Sequence, residues 1–177
     1  SPHLLSSGIG DIHKSLGDLD QAVQFYEEAY AIQRELLSER HLIIASTQQK
    51  LGSALSNIED EEERGFELLV ESLEMYEEKV GENDERVAAV VHQLGVCSVK
   101  DGDYDEAIHH FKRELRIRTT LRGEYDESVA TALIDLGIVH ETKGEYPEAM
   151  SCFKRVEQNR RQAGGDDNLE VADVLSE

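Results

Sequence analysis

Between Val87 and Leu115 the apolar residues Val87, Val90, Val91, Leu94 and Cys97 fall three and four apart, the spacing of one helix face. The polar run Lys100-Asp-Gly-Asp interrupts this spacing, and Tyr104, Ala107, Ile108, Phe111 and Leu115 resume it. The pattern predicts a helix, a tight turn and a second helix. It then returns: Leu94-Gly95, Gly102, Tyr104, Ala107 and Phe111 recur 42 residues later as Leu136-Gly137, Gly144, Tyr146, Ala149 and Phe153. A fixed period in this range marks stacked supersecondary units, which present an extended surface rather than one closed cleft.

Upstream, Ile9-Gly10, Gly17, Leu19, Ala22 and Tyr26 fit the same template 85 residues before its best copy, so two units separate them. The intermediate copy is worn. Leu51-Gly52 lies 42 residues after Ile9-Gly10 but 43 before Leu94-Gly95, while Gly65 and Leu69 lie 42 before Ala107 and Phe111. One residue is therefore inserted between its two halves. The expected units are 1–42, 43–85, 86–127 and 128–169, with a truncated fifth unit at 170–177 where Val171-Ala172 repeats Val129-Ala130.

Each unit carries its own punctuation. Gly17, Gly102 and Gly144 stand where a first helix must end in a left-handed residue, and Asp18, Asp103 and Glu145 then open the second helix with negative charge. Gly81, Gly123 and Gly165 are expected stops between units, followed by the starting signals around Asp84 and Asp126. Gly10, Gly52, Gly95 and Gly137 cost about 1 kcal/mol each inside a helix, which packing must offset. With Ala22, Ala107 and Ala149 they are expected to let two backbones approach, leaving Tyr26, Phe111 and Phe153 as plugs between neighbouring units.

Composition supports an all-α chain: Trp is absent, Pro occurs twice, and strong helix formers abound. A net charge of -20 repels phosphate backbones and argues against nucleic acid. Lys112, Arg113, Arg116, Arg118 and Arg122, with Lys154, Arg155, Arg160 and Arg161 one unit later, form a local basic exception. They suit a solvated outer face balanced by acids such as Glu106 and Glu157, or an acidic partner surface. Cys97 and Cys152 lie apart with no metal spacing, so buried hydrophobes in a reducing, intracellular and cytoplasmic setting are expected. No apolar run is long enough to span a bilayer, and a targeting segment could precede Ser1.

Little chemistry stands out. Asp101, Asp103 and Asp105 alternate like calcium ligands, but Glu106 occupies the required loop glycine and Lys112 the final ligand position. The acidic run Glu59–Glu63 falls in the loop lengthened by the insertion. His13 and His140 occupy equivalent core positions, and His109-His110 should divide between surface and interface. No nucleophile elbow, zinc helix, phosphate loop or dinucleotide fingerprint is present, so neither an enzyme nor a cofactor is expected.

The run Gly102-Asp-Tyr-Asp-Glu-Ala107-Ile-His-His-Phe111, preceded by Leu94-Gly95, closely resembles the tetratricopeptide repeat, and the 42-residue period resembles its kinesin light chain and nephrocystin-3-like subclass. The resemblance implies a right-handed αα-superhelix of antiparallel helix pairs whose first helices line a concave face that binds a protein or peptide. By register that face would hold Ser7, Asp11 and Lys14; Gln49, Ser53 and Asn57; His92, Val96, Val99 and Lys100; and Thr131, Ile134, Ile138 and Glu141. The first half is polar, whereas Val96, Val99, Ile134 and Ile138 would make an apolar strip. Those four could instead pack against second helices or a fifth unit. The Asn-Asn pair of kinesin light chains is replaced by Ser7-Gly8, Gln49-Lys50, His92-Gln93 and Ile134-Asp135. The implied role is an adaptor or scaffold. The alternative is a structural or regulatory segment that contacts an assembly through convex helices and array ends, with self-association through those ends.

Overall fold

A computed structural model describes residues 2–37 and 41–163, and every regular element among them is an α-helix. The chain divides into two compact units, Ser1–Cys97 and Ser98–Glu177. The first contains α1 (Pro2–Ser15), α2 (Leu19–Leu36), α3 (Leu42–Leu55), α4 (Glu62–Val80) and most of α5 (Glu85–Asp101). The second contains the end of α5, then α6 (Tyr104–Arg122), α7 (Glu127–Lys143) and α8 (Tyr146–Ala163). The expected fifth unit and Gly165 lie outside the described residues.

In the first unit α1 packs on α2 and α3 on α4, while α3 also packs back on α2. Leu51, Ala54 and Leu55 of α3 close over Ala22 and Tyr26 of α2, and this cluster is fully buried. In the second unit α7 packs on both α6 and α8. Its Ala132, Leu136 and Val139 lie in a core shared with Ala107, Ile108 and Phe111 of α6. A lone helix of this length is marginal in water, so the stacked apolar faces supply most of the stability.

The expected punctuation is present. Gly17, Gly102 and Gly144 end first helices with φ of 82°, 77° and 86°. Asp18 and Asp103 cap the second helices by accepting from Gln21 N and Glu106 N at 3.3 and 3.1 Å. Glu145 acts differently. Its carboxylate meets the buried His140 Nδ1 at 2.6 Å and Lys143 Nζ at 2.5 Å, tying the turn to α7 rather than capping α8. Between pairs, Asp126 caps α7 through Ser128 N at 2.9 Å.

Glycines serve two kinds of approach. A Cβ on Gly52 would lie 2.7 Å from the Gly65 carbonyl oxygen, so α3 and α4 meet backbone to backbone as expected. Gly10 and Gly137 instead make room for rings: a Cβ there would lie 2.6 Å from Tyr26 and 2.8 Å from Phe153. The aromatic plug therefore seats first on the glycine of its own helix pair. In the worn pair Leu69 stands in the place of the aromatic and Gly65 in that of the usual alanine, which lets the two helices approach closely.

The acidic run is only partly loop. α4 begins at Glu62, so Glu62 and Glu63 lie in its first turn, where the helix dipole favours negative charge. Asp60 takes a positive φ of 67° at the turn itself. The calcium-like series is likewise absorbed by the fold: Asp103 is a cap, and Asp105 accepts from Lys143 Nζ at 2.7 Å.

Candidate protein-binding surface

In the first unit four of the expected residues, Ser7, Asp11, Lys14 and Ser53, enter two neighbouring sets of polar contacts between α1 and α3. Lys50 Nζ donates to Asp11 Oδ2 at 2.7 Å and to Ser7 Oγ at 3.2 Å. Asp11 also accepts from Tyr26 OH at 2.8 Å, which joins the network to the aromatic plug beneath it. Lys14 Nζ donates to Ser53 Oγ at 2.8 Å, and Asn57 Nδ2 donates to the Ser53 carbonyl at 2.7 Å. Burial lowers the Lys14 pKa; the Asp11 carboxylate opposes that shift and the Lys50 charge adds to it. Burial and the bond to Asp11 raise the Tyr26 phenol above its ordinary value.

Beside this network lies a cavity of about 420 Å³. Leu4 and Ser7 of α1 and Leu42, Ile43, Ser46, Gln49 and Lys50 of α3 line one part of it, and Tyr76 and Arg86 line another. Tyr76 OH reaches Gln49 Oε1 at 3.5 Å, and the Arg86 guanidinium stands 5.7 Å from the Tyr76 ring centre while pairing with Asp84. The cavity thus combines apolar walls with two cationic heads, a combination suited to a peptide carrying both apolar and acidic side chains.

Elsewhere the expected residues are more dispersed. Val96 is 37% exposed on α5 and Ile138 is 48% exposed on α7. Val99 and Ile134 are half-buried and pack against the core of the second unit. Ile134 also lines a hollow of about 540 Å³ with Phe153, Val156, Glu157, Arg160 and Arg161 of α8. Thr131 and Glu141 are exposed, and the Thr131 hydroxyl donates to the Glu127 carbonyl of its own helix at 3.0 Å. His92 is half-buried and Lys100 exposed.

Lys50, Leu4 and Arg86 are contributors that sequence reasoning missed. A signal for Lys50 exists, since it occupies the second place of the Gln49-Lys50 pair and follows Asp11 by nearly one period. Three basic residues of α8, Arg155, Arg160 and Arg161, pair with acids as expected of a solvated face. Arg161 meets Glu157 at 2.6 Å, Arg160 meets Glu127 at 2.7 Å, and Arg155 grips both carboxylate oxygens of Glu124 at 2.7 and 2.9 Å. That bidentate contact depresses the Glu124 pKa. His109 is exposed and His110 buried, and burial lowers the His110 pKa. Both cysteines are buried free thiols.

Helix pairs that repeat one Leu-Gly, Gly-x-Tyr-x-x-Ala, aromatic framework can be compared with known families. Residues 3–78 and 86–162 match the family model of the tetratricopeptide repeat. The chain belongs to the tetratricopeptide-repeat family. Among solved structures it is similar to BtubC (BKLC) from P. vanneervenii, with 28% identity and a TM-score of 0.80 over 92% of this chain and 65% of that one. The chain thus spans about two thirds of the length of that relative. It also resembles the nearly identical kinesin light chain TPR-like repeats of Podosopora anserina, with 17% identity, a TM-score of 0.77 and coverage of 92% and 76%. A third similar fold is a Rap protein complexed with Competence and Sporulation Factor, at 16% identity, a TM-score of 0.76 and coverage of 91% and 43%. No curated protein matches the chain by sequence. This tetratricopeptide-repeat chain has a fold of the protein-interaction class, and no described helix is long and apolar enough to cross a membrane.

Proposed function

We propose that the chain is a non-enzymatic adaptor or scaffold that captures a protein or peptide on the face formed by its first helices. The observation that carries this reading is the cradle on α1 and α3, where Lys50, Lys14, Asp11, Ser7 and Ser53 converge beside a cavity with apolar walls. The ligand of the Rap protein shows that a similar fold can be solved with a bound factor, and that likeness supports peptide capture here. An acidic group on the partner would displace Asp11 from Lys50 and meet Arg86, while apolar side chains would enter against Leu4 and Tyr76. The remaining first-helix positions, including Val96 and Ile138, would extend the contact along each unit.

Selection of peptides from a random displayed library on the immobilised chain tests the reading. Selected peptides should be enriched in acidic and apolar residues. Their affinity should fall roughly tenfold in Lys50→Ala, the loss expected for a charge-assisted hydrogen bond. Peptides that bind Lys50→Ala and Ile138→Asp undiminished, yet lose binding on charge reversal at Arg116, would move recognition to the second helices and defeat the proposal.

A further inference from the structure

The first unit holds a second cavity, of about 350 Å³, where α3 packs on both α2 and α4. Ile44 and Gln48 of α3 lie between Tyr30 and Arg34 of α2 and Glu71, Glu74 and Met75 of α4. The repeat register shows what is unusual about it. Gln48 occupies the place of Val91 on α5 and Leu133 on α7, which are at most 1% exposed, and of Ser6 on α1. Only α3 carries an amide there, and it is 3% exposed. Gln48 Nε2 donates to Glu71 Oε2 at 2.6 Å and to the Tyr30 hydroxyl at 3.4 Å. A carboxylate can only accept, so Glu71 fixes which end of the amide carries the nitrogen. The other end, Gln48 Oε1, is left as a buried acceptor with no partner among the described residues. Buried acceptors are nearly always satisfied, so this one marks a place where a donor is missing.

The charge around the amide also departs from the repeat. Glu71 stands where α6 and α8 carry Arg113 and Arg155, and Glu74 stands where α6 carries Arg116. On α8 that arginine supplies its own cation, because Arg155 grips Glu124. On α4 the sign is reversed, and both carboxylates are exposed at the cavity wall. Arg34, on the opposite wall, lies 5.7 Å from the Tyr30 ring centre and forms no ion pair with Glu71 or Glu74. Two carboxylates therefore face one guanidinium, and the lining is net negative.

We infer that this cavity receives an arginine side chain from a basic segment of a partner protein. A guanidinium carries five N–H donors in a planar fork and no acceptor, which matches two carboxylates and an unfilled amide oxygen. Its methylene stem would lie along Ile44 and Met75, both buried. An anion would meet Glu71 and Glu74 instead, at a cost. The charge of -20 on the whole chain draws a basic segment toward the site, so added salt should weaken the contact. The cradle of Lys50 and Lys14 favours acidic groups, so the two sites take opposite charges.

Titration of the 177-residue chain with the blocked tripeptide acetyl-Ala-Arg-Ala-amide, followed in amide correlation spectra, tests the inference. Saturating shifts should centre on the Gln48 side-chain amide and on residues about Tyr30, Ile44 and Glu71, and should shrink in high sodium chloride. The same tripeptide with citrulline in place of arginine keeps the shape and loses the charge, and should bind at least about tenfold more weakly. Gln48→Leu installs the residue that α7 carries at this place, so the fold tolerates it, and it should abolish the shifts. Glu71→Gln should weaken binding about tenfold. Arg34→Ala removes a like charge and should bind at least as tightly as wild type. The inference is overturned by a titration without saturating shifts, by equal binding of citrulline, by either Gln48→Leu or Glu71→Gln binding undiminished, or by loss of binding in Arg34→Ala, which would mark a site for an anion. Lys50→Ala should bind the arginine tripeptide as wild type does, so failure at this cavity and failure of the proposed function at the cradle are read separately.

Discussion

A methyl group on Gly65 would lie 2.6 Å from the Ser56 amide nitrogen and 2.8 Å from the Gly52 carbonyl oxygen. Both obstacles are backbone, so Gly65→Ala must spread α3 from α4 and should lose about 2–3 kcal/mol in urea denaturation. Gly137→Ala meets only the Phe153 ring, which is half-buried and can turn. The alanine also recovers roughly 1 kcal/mol of helix propensity, so this variant should lie within about 1 kcal/mol of wild type. Equal losses at the two sites would show that ring and backbone contacts are equally rigid. The need for small residues was legible in the sequence because they recur at fixed places in the repeat. Which atoms they meet was not, because a glycine records only the missing side chain and never what fills its space.

At the level of elements, short-range rules succeeded wherever a helix end is decided by its own side chains. Asp103 accepts from Glu106 N and opens α6, so Asp103→Ala should cost about 1 kcal/mol of unfolding free energy, while Asp103→Asn should be nearly neutral. A comparable loss in both variants would assign the effect to charge at the helix terminus instead of to the capping bond. The same rules erred where polarity was equated with loop. Glu62 and Glu63 are strongly polar yet helical, since a carboxylate in the first turn interacts favourably with the helix dipole. Glu145 looked like a counterpart of Asp18 and Asp103, but its longer side chain reaches back to His140 and Lys143. One methylene redirects the carboxylate from the following helix to the preceding one.

At the scale of the whole molecule, the excess of negative charge opposes the compact state. The described surface ion pairs are mostly exposed, and such pairs contribute little each. Screening of the overall repulsion should therefore outweigh the weakening of individual pairs. The melting temperature of dilute protein should rise between low and moderate sodium chloride. A fall would mean that contacts such as Arg155 with Glu124 dominate the electrostatic balance.

Periodicity, glycine punctuation and the aromatic framework determine the helical class and the tetratricopeptide family, because helix formation and helix ending are decided by residues a few positions apart. The framework also assigned Ser7, Asp11, Lys14 and Ser53 to one kind of position on successive first helices. Only tertiary packing decided what those side chains do there. Lys50 binds Asp11 across a separation of 39 residues, Ile134 joins a hollow on α8, and Leu5, Ile9 and Ile12 keep a core-like character without a core to enter. A repeat specifies which face a residue occupies. Whether that face is buried, paired or bare depends on the helix beside it, and that helix belongs to another part of the chain.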